Sequence, residues 1–360
     1  MKKKETKKKK YYANKIKLIH KKHNYKKNLF IIDICWRLNN SFNIIQIKFW
    51  KVFLIIILFI KFSSQKKNQE NNYGLSFEQK MKDYATKNFT ILRRTECPDC
   101  GFFSFYVVHL GCIKRYLEKG YIPIIEMQSF KNIYNKGNKS VYNPWEVFFY
   151  QPYNYTLEEV KKYAKNVYRN VCTQNYYRPN PINIYHHNSS INFWHNFSKN
   201  YMPVKKVIMD EANLIMKKFF GNSKNILVVK LRGTNYVSDR PRGHSIQPTV
   251  EQIISDVKIF DEKYKYDYIF FTTEDNDILN KFVKAFDNKV KVLYPKDLKN
   301  ITNYYESVNR KLSSVKIYLL DVIILSKCLD IIASKNSGCA GAFIMTEGFR
   351  HKKIYDFGVY

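Results

Sequence analysis

Two nucleotide-binding signatures are missing from these 360 residues. No Gly-x-x-x-x-Gly-Lys-Ser/Thr run and no Gly-x-Gly-x-x-Gly occurs, so P-loop kinases and dinucleotide-binding dehydrogenases lose their usual support. A single C-x-x-C, Cys97-Pro98-Asp99-Cys100, has no second pair and no His pair at finger spacing. That removes a zinc finger. The seven cysteines are odd in number, which argues against a fully paired disulfide framework. Reduced, packing cysteines are expected. No 20-residue apolar run is present, and no short-period repeat. Acidic residues are few, 30 against 62 Lys and Arg, leaving a net charge of +32.

That charge is uneven. Residues 1–70 carry half of it, about four times as densely as the rest. A basic segment attracts lipid or nucleic-acid phosphates, and a solvated arm is the plain alternative. Nucleic acid is not the expected partner. Within residues 42–60 lies VFLIIILFI (52–60), flanked by Lys48, Lys51 and Lys61 with Trp50 nearby. The run is short for a span, so membrane association as a single pass or as a peripheral anchor is expected. It lies too far along the chain for a signal peptide. If synthesis starts at Met81, the protein is cytoplasmic instead.

The division expected is a tail, anchor and linker at 1–86, an α/β domain at 87–222, and a Rossmann-like domain at 223–360. In the first domain a helix over 105–119 precedes a strand over 121–127. Helices follow over 157–168 and 204–220, with 173–200 irregular. From 225 apolar strands (226–231, 266–274, 290–294 and 329–334) alternate with helices (249–263, 277–286, 313–328 and one opening at 338). Alternation with continuously apolar strands means an α/β fold, a parallel sheet covered on both faces.

Ligands of such sheets bind outside the carboxyl ends of the strands. Three ends are polar here: Arg232-Gly233-Thr234-Asn235, Thr272-Thr273-Glu274-Asp275, and Ser334-Lys335-Asn336-Ser337-Gly338. Arg232 suits bidentate phosphate contact, and Gly233 permits close backbone approach. Ser337 and Gly338 open a helix whose N–H groups favour an anion. Glu274 and Asp275 suit ribose or base hydrogen bonds. The plain alternatives are a surface ion pair for Arg232 and helix caps for Asp275 and Ser337. Asp275-Asn276-Asp277 spells D-x-D, a metal-diphosphate motif, but its place at a helix start favours the cap. The coincidence of three polar ends favours a nucleotide-type anion site.

These segments resemble the α-1,6- and protein O-fucosyltransferase superfamily. VVKLRGTNYV resembles its first motif, His-x-Arg-Arg/Gly-Thr-Asp, and FFTTED its second, a strand ending in Thr-Asp-Asp. LLDVIILSKCLDIIASKNSG resembles the third, and CGFFSFYVVHLGCIKRYLEKGYIPII with NPWEVFF the upstream segments. The similarity runs in order over roughly 97–360 and extends to uncharacterised bacterial relatives. It implies a GT-B arrangement of two Rossmann-like domains, acceptor side first and donor side second. It implies GDP-fucose as donor, a glycan or glycoconjugate acceptor, inversion, and no required metal or other cofactor. Arg232 falls on the arginine that grips the β-phosphate, Thr273, Glu274 and Asp275 on the second motif, and Asp321 and Ser337 on the third. Lys230 replaces the usual His and Asn235 the usual Asp, which leaves the donor sugar open. Lys230 either adds charge near the diphosphate or points away. Asp239 lies near the family's acid position, allowing one gap, and His244 is the other candidate base; pairing with Arg240 or Arg242, or mere packing, are their alternatives. Other readings are a GT-B transferase of another nucleotide sugar, a catalytically dead membrane-tethered binder, and a nucleic-acid binder resting on charge alone.

Overall fold

The computed structural model describes residues 76–135, 142–173, 181–233, 235–293 and 310–360. The basic segment and the expected anchor at 42–60 lie outside the described residues. No described helix is long and apolar enough to cross a membrane. All described residues fall in one compact unit.

Residues 77–86, expected as part of a linker, instead form helix α1 (Phe77–Thr86), capped by Ser76. Tyr84 is buried and Asp83 accepts a 2.6 Å hydrogen bond from the Tyr155 hydroxyl. Strands β1 (Asn88–Arg93), β2 (Ile122–Ile125) and β3 (Asn166–Val171) form a parallel sheet ordered β2-β1-β3. Between them lie α2 (Phe102–Glu118), α3 (Pro144–Phe148) and α4 (Leu157–Tyr163). The helix expected over 157–168 stops at Tyr163, and 166–171 is strand instead; most β3 positions are exposed, so it shows no apolar run. The expected irregular stretch holds α5 (Pro181–His186) and α6 (Asn188–Tyr201), followed by α7 (Lys206–Phe220). Asn, His and Tyr on α6 mask its apolar spacing, yet Ile191 is buried.

The second half matches expectation more closely. β4 (Ile226–Lys230), β5 (Tyr268–Thr272), β6 (Val290–Lys291) and β7 (Asp330–Ser334) alternate with α8 (Asn235–Ser238), α9 (Val250–Tyr264), α10 (Asn276–Phe286), α11 (Arg310–Lys327) and α12 (Ser337–Met345). β8 (His351–Tyr355) adds an edge strand that the sequence reading lacks. The order is β6-β5-β4-β7-β8, all parallel. α9 begins with a reciprocal Thr249–Gln252 capping box.

One apolar core spans both halves, from Phe102, Phe103 and Tyr106 on α2 to Leu319, Ile323, Ala342 and Phe343 on α11 and α12. Phe103 fills a hollow over Gly341, where any side chain would collide with its ring. Cys97 pairs with Cys100, and Cys112 with Cys172, correcting the expectation of reduced cysteines. The second pair ties α2 to the residue just after β3. Cys328 and Cys339 stay free and buried.

Candidate functional site

The chain builds β4, β5 and β6 outward in one direction, then returns through α11 to lay β7 on the other side of β4. The switch point of the sheet therefore falls between β4 and β7, where doubly wound sheets open a ligand crevice. Register sets the three polar ends side by side. Lys230 pairs with Thr272 on one flank and Ala333 on the other. Leu231 N–H adds one more rung, donating to Thr272 O at 3.2 Å. Arg232, Thr273–Glu274 and Lys335–Ser337 thus leave the sheet along one rim.

On that rim Arg232 Nε lies 3.0 Å from Glu274 Oε1, and both side chains are partly exposed. The guanidinium also sits 4.3 Å from the ring centre of Tyr236 on α8. That contact orients the fork by cation–π attraction. Tyr236 meets the His244 ring edge-on at 4.8 Å. Partial burial, and then the Arg232 charge, hold the His244 imidazole below its ordinary pKa. The loop bearing His244 is tied to Tyr360: Tyr360 N–H donates to His244 O, and Gly243 N–H to Tyr360 O, each at 3.0 Å. Asp239 lies at the exposed end of α8, accepting from Ser238 Oγ at 2.6 Å. His244, not Asp239, is the candidate base that the contacts connect to Arg232. Thr234 and the Asn235 side chain lie outside the described structure.

Asp275 is a helix cap. Its Oδ1 accepts from Asp277 and Ile278 N–H at 3.0 and 3.1 Å, and Thr273 Oγ1 accepts from Asp275 N–H. This favours the cap over the D-x-D reading. Gly233 backs directly onto it: a Cβ there would come within 2.6 Å of Asp275 Cβ and Ile278 Cδ1. Of the two acids on this end, Glu274 is the one left facing the rim with Arg232.

At the switch point, Asn336 rather than Ser337 caps α12, its Oδ1 accepting from Cys339 N–H at 2.9 Å. Ser337 and Gly338 are then the first two helical residues, whose N–H groups have no partner within the helix. The Tyr318 hydroxyl and Lys230 Cε press on Gly338, so a side chain at 338 has no room. Lys230 does not point away to solvent. It is 1% exposed, with Nζ 4.7 Å from the Tyr318 ring centre. Asp321 accepts from Thr272 Oγ1 at 2.8 Å. Burial pushes its carboxyl up to about 7, against the lowering effect of Lys230 and the Thr272 bond. Asp321 therefore supports the rim from beneath. Sequence reasoning placed Thr272 and Asn336 at polar strand ends but gave the site roles to Thr273 and Ser337, and it passed over Tyr236 and Tyr318. A Thr pair at a strand end was the available signal for Thr272; period two puts one of the pair inside.

No protein-family model matches the sequence, and no curated protein matches it. Solved structures do resemble it. NodZ α-1,6-fucosyltransferase soaked with GDP-fucose is 14% identical, with a TM-score of 0.42, over 72% of this chain and 93% of that one. Fucosyltransferase NodZ from Bradyrhizobium is 11% identical, with a TM-score of 0.45, over 72% and 94%. POFUT1 in complex with GDP is 10% identical, with a TM-score of 0.48, over 76% and 100%.

Proposed function

We propose that this protein is an inverting glycosyltransferase of GT-B type that moves fucose from GDP-fucose to a glycan or glycoconjugate. The observation that carries the reading is the rim itself: a partly exposed arginine beside a helix N-terminus, at the switch point of a parallel sheet. Arg232 binds the diphosphate in place of Glu274, and the first N–H groups of α12 face the same charge. Both stabilise the negative charge that grows as the diphosphate leaves. Glu274, released, accepts from the ribose. His244, neutral at pH 7 because its pKa is lowered, takes the acceptor hydroxyl proton. The acceptor lies against the first half of the chain. No metal is needed, since Arg232 supplies the countercharge. The two disulfides suit an oxidising compartment, with 42–60 holding the enzyme at a membrane surface.

Calorimetric titration of the full chain with GDP, GDP-fucose and UDP, with and without Mn²⁺, tests this beside Arg232→Ala. Metal-free binding of the two GDP compounds is expected. Arg232→Ala weakens it by at least about tenfold, the scale of a charge-assisted hydrogen bond. Binding of UDP alone, or binding only with Mn²⁺, would sink the GDP assignment.

A further inference from the structure

A cavity of about 510 Å³ opens at the opposite rim of the second sheet. It is bounded by the C-terminal ends of α11 and α12 and by Leu329, just before β7, so the length of the sheet separates it from Arg232. α6 and Tyr106 of α2 close its other side, placing it on the seam between the halves. Its volume lies within the range of small-molecule sites.

The walls are aliphatic and thioether, from Met202, Met209, Ile323 and Met345. Methionines adapt to irregular apolar bodies. The buried hydroxyls beneath are already engaged: Ser198 Oγ donates to His195 O at 3.0 Å, and Ser326 Oγ to Ile323 O at 2.8 Å. The interior thus asks little hydrogen bonding of a guest. The mouth differs. Lys199 and Lys327 are exposed there, with Glu347 the one acid among the lining residues. His195 Nδ1 is buried without a hydrogen-bond partner, a state that costs free energy until a polar group arrives.

An apolar chamber under a cationic mouth matches a molecule with an aliphatic body and an anionic head. We propose that this cavity binds an anionic amphiphile, its chain against the methionines and its phosphate or carboxylate among Lys199, Lys327 and His195. A sugar fits poorly, because the lining presents no side-chain amide and no exposed aromatic face. The site is independent of the proposed transfer reaction.

The test is calorimetric titration of the full chain with dodecyl phosphate below its micelle concentration, beside inorganic phosphate. Saturable one-site binding of the ester is expected, with none of inorganic phosphate. Lys199→Glu/Lys327→Glu weakens it at least tenfold and leaves GDP binding unchanged. Leu329→Trp, at a lip residue 42% exposed, narrows the mouth and weakens it without altering charge. Phosphatidic acid vesicles then compete: displacement of the ester identifies a bilayer lipid as the source, and no displacement a free amphiphile. Equal binding by the wild type and both variants, no binding by the wild type, or equally tight inorganic phosphate would each overturn the proposal.

Discussion

Arg232 and Glu274 hold each other across the tips of two neighbouring strands, Nε to Oε1 at 3.0 Å. Under the proposed function, a diphosphate has to part them. Glu274→Ala removes the competitor and the ribose acceptor together, and a partly exposed pair is worth up to about 1 kcal/mol. Pyrophosphate affinity is therefore expected to rise by about threefold. GDP affinity falls by about tenfold, because the carboxylate's bond to the ribose is lost. Calorimetry with the two ligands reads both. Affinities that move in the same direction would remove the double role of Glu274.

The base assignment separates two residues. His244→Asn is expected to lower kcat by about 10²–10⁴-fold and to abolish the acid limb of the pH–rate profile. In the wild type that limb lies below the ordinary imidazole pKa, since partial burial and Arg232 both disfavour the protonated ring. Asp239→Asn, at an exposed helix end, leaves kcat within a few-fold. A larger loss in the Asp239 variant would reverse the assignment.

Asp321 makes stability depend on pH. Its carboxyl titrates at about 7 in the folded chain and near 4 unfolded. Between those values the folded chain keeps a proton that the unfolded chain has released. This group's contribution is therefore full below about pH 4, falls as pH rises toward 7, and is flat above. Urea midpoints across this range, wild type minus Asp321→Asn, are expected to slope downward with pH. A flat difference curve would contradict the shifted carboxyl.

The Cys112–Cys172 bridge closes a 60-residue separation. Restricting the unfolded chain over such a loop contributes about 2–4 kcal/mol. Replacing both with Ser is expected to lower Tm by several degrees, and reductant to lower the wild type at least as far, since it also opens Cys97–Cys100. An unchanged Tm in both would show that the link carries no stability.

How much of this was legible depended on burial. β4, β5 and β7 read directly as ILVVK, YIFFT and DIIAS because both faces are covered. Their rim residues stood out by contrast. β3 and β8 are edge strands, NVYRNV and HKKIY, with much polar surface and no continuous apolar run. The helical fate of 181–201 was hidden by its Asn and His content. Lys230 was visible as a departure, but its burial beneath Gly338 depends on Tyr318, nearly ninety residues away, which no local pattern reveals. Cys35, beyond the described residues, made the cysteine count odd and obscured two pairs among the others.

The ring of Phe103 in its hollow over Gly341 has a mechanical meaning. Halves joined by a small polar contact swing freely, whereas halves sharing an apolar core turn as one piece. Here the shared core reaches both helices that frame the Arg232 rim. Under the proposed function, admission of the donor then falls to a latch at the strand tips, the parting of Glu274 from Arg232, rather than to a hinge between the halves.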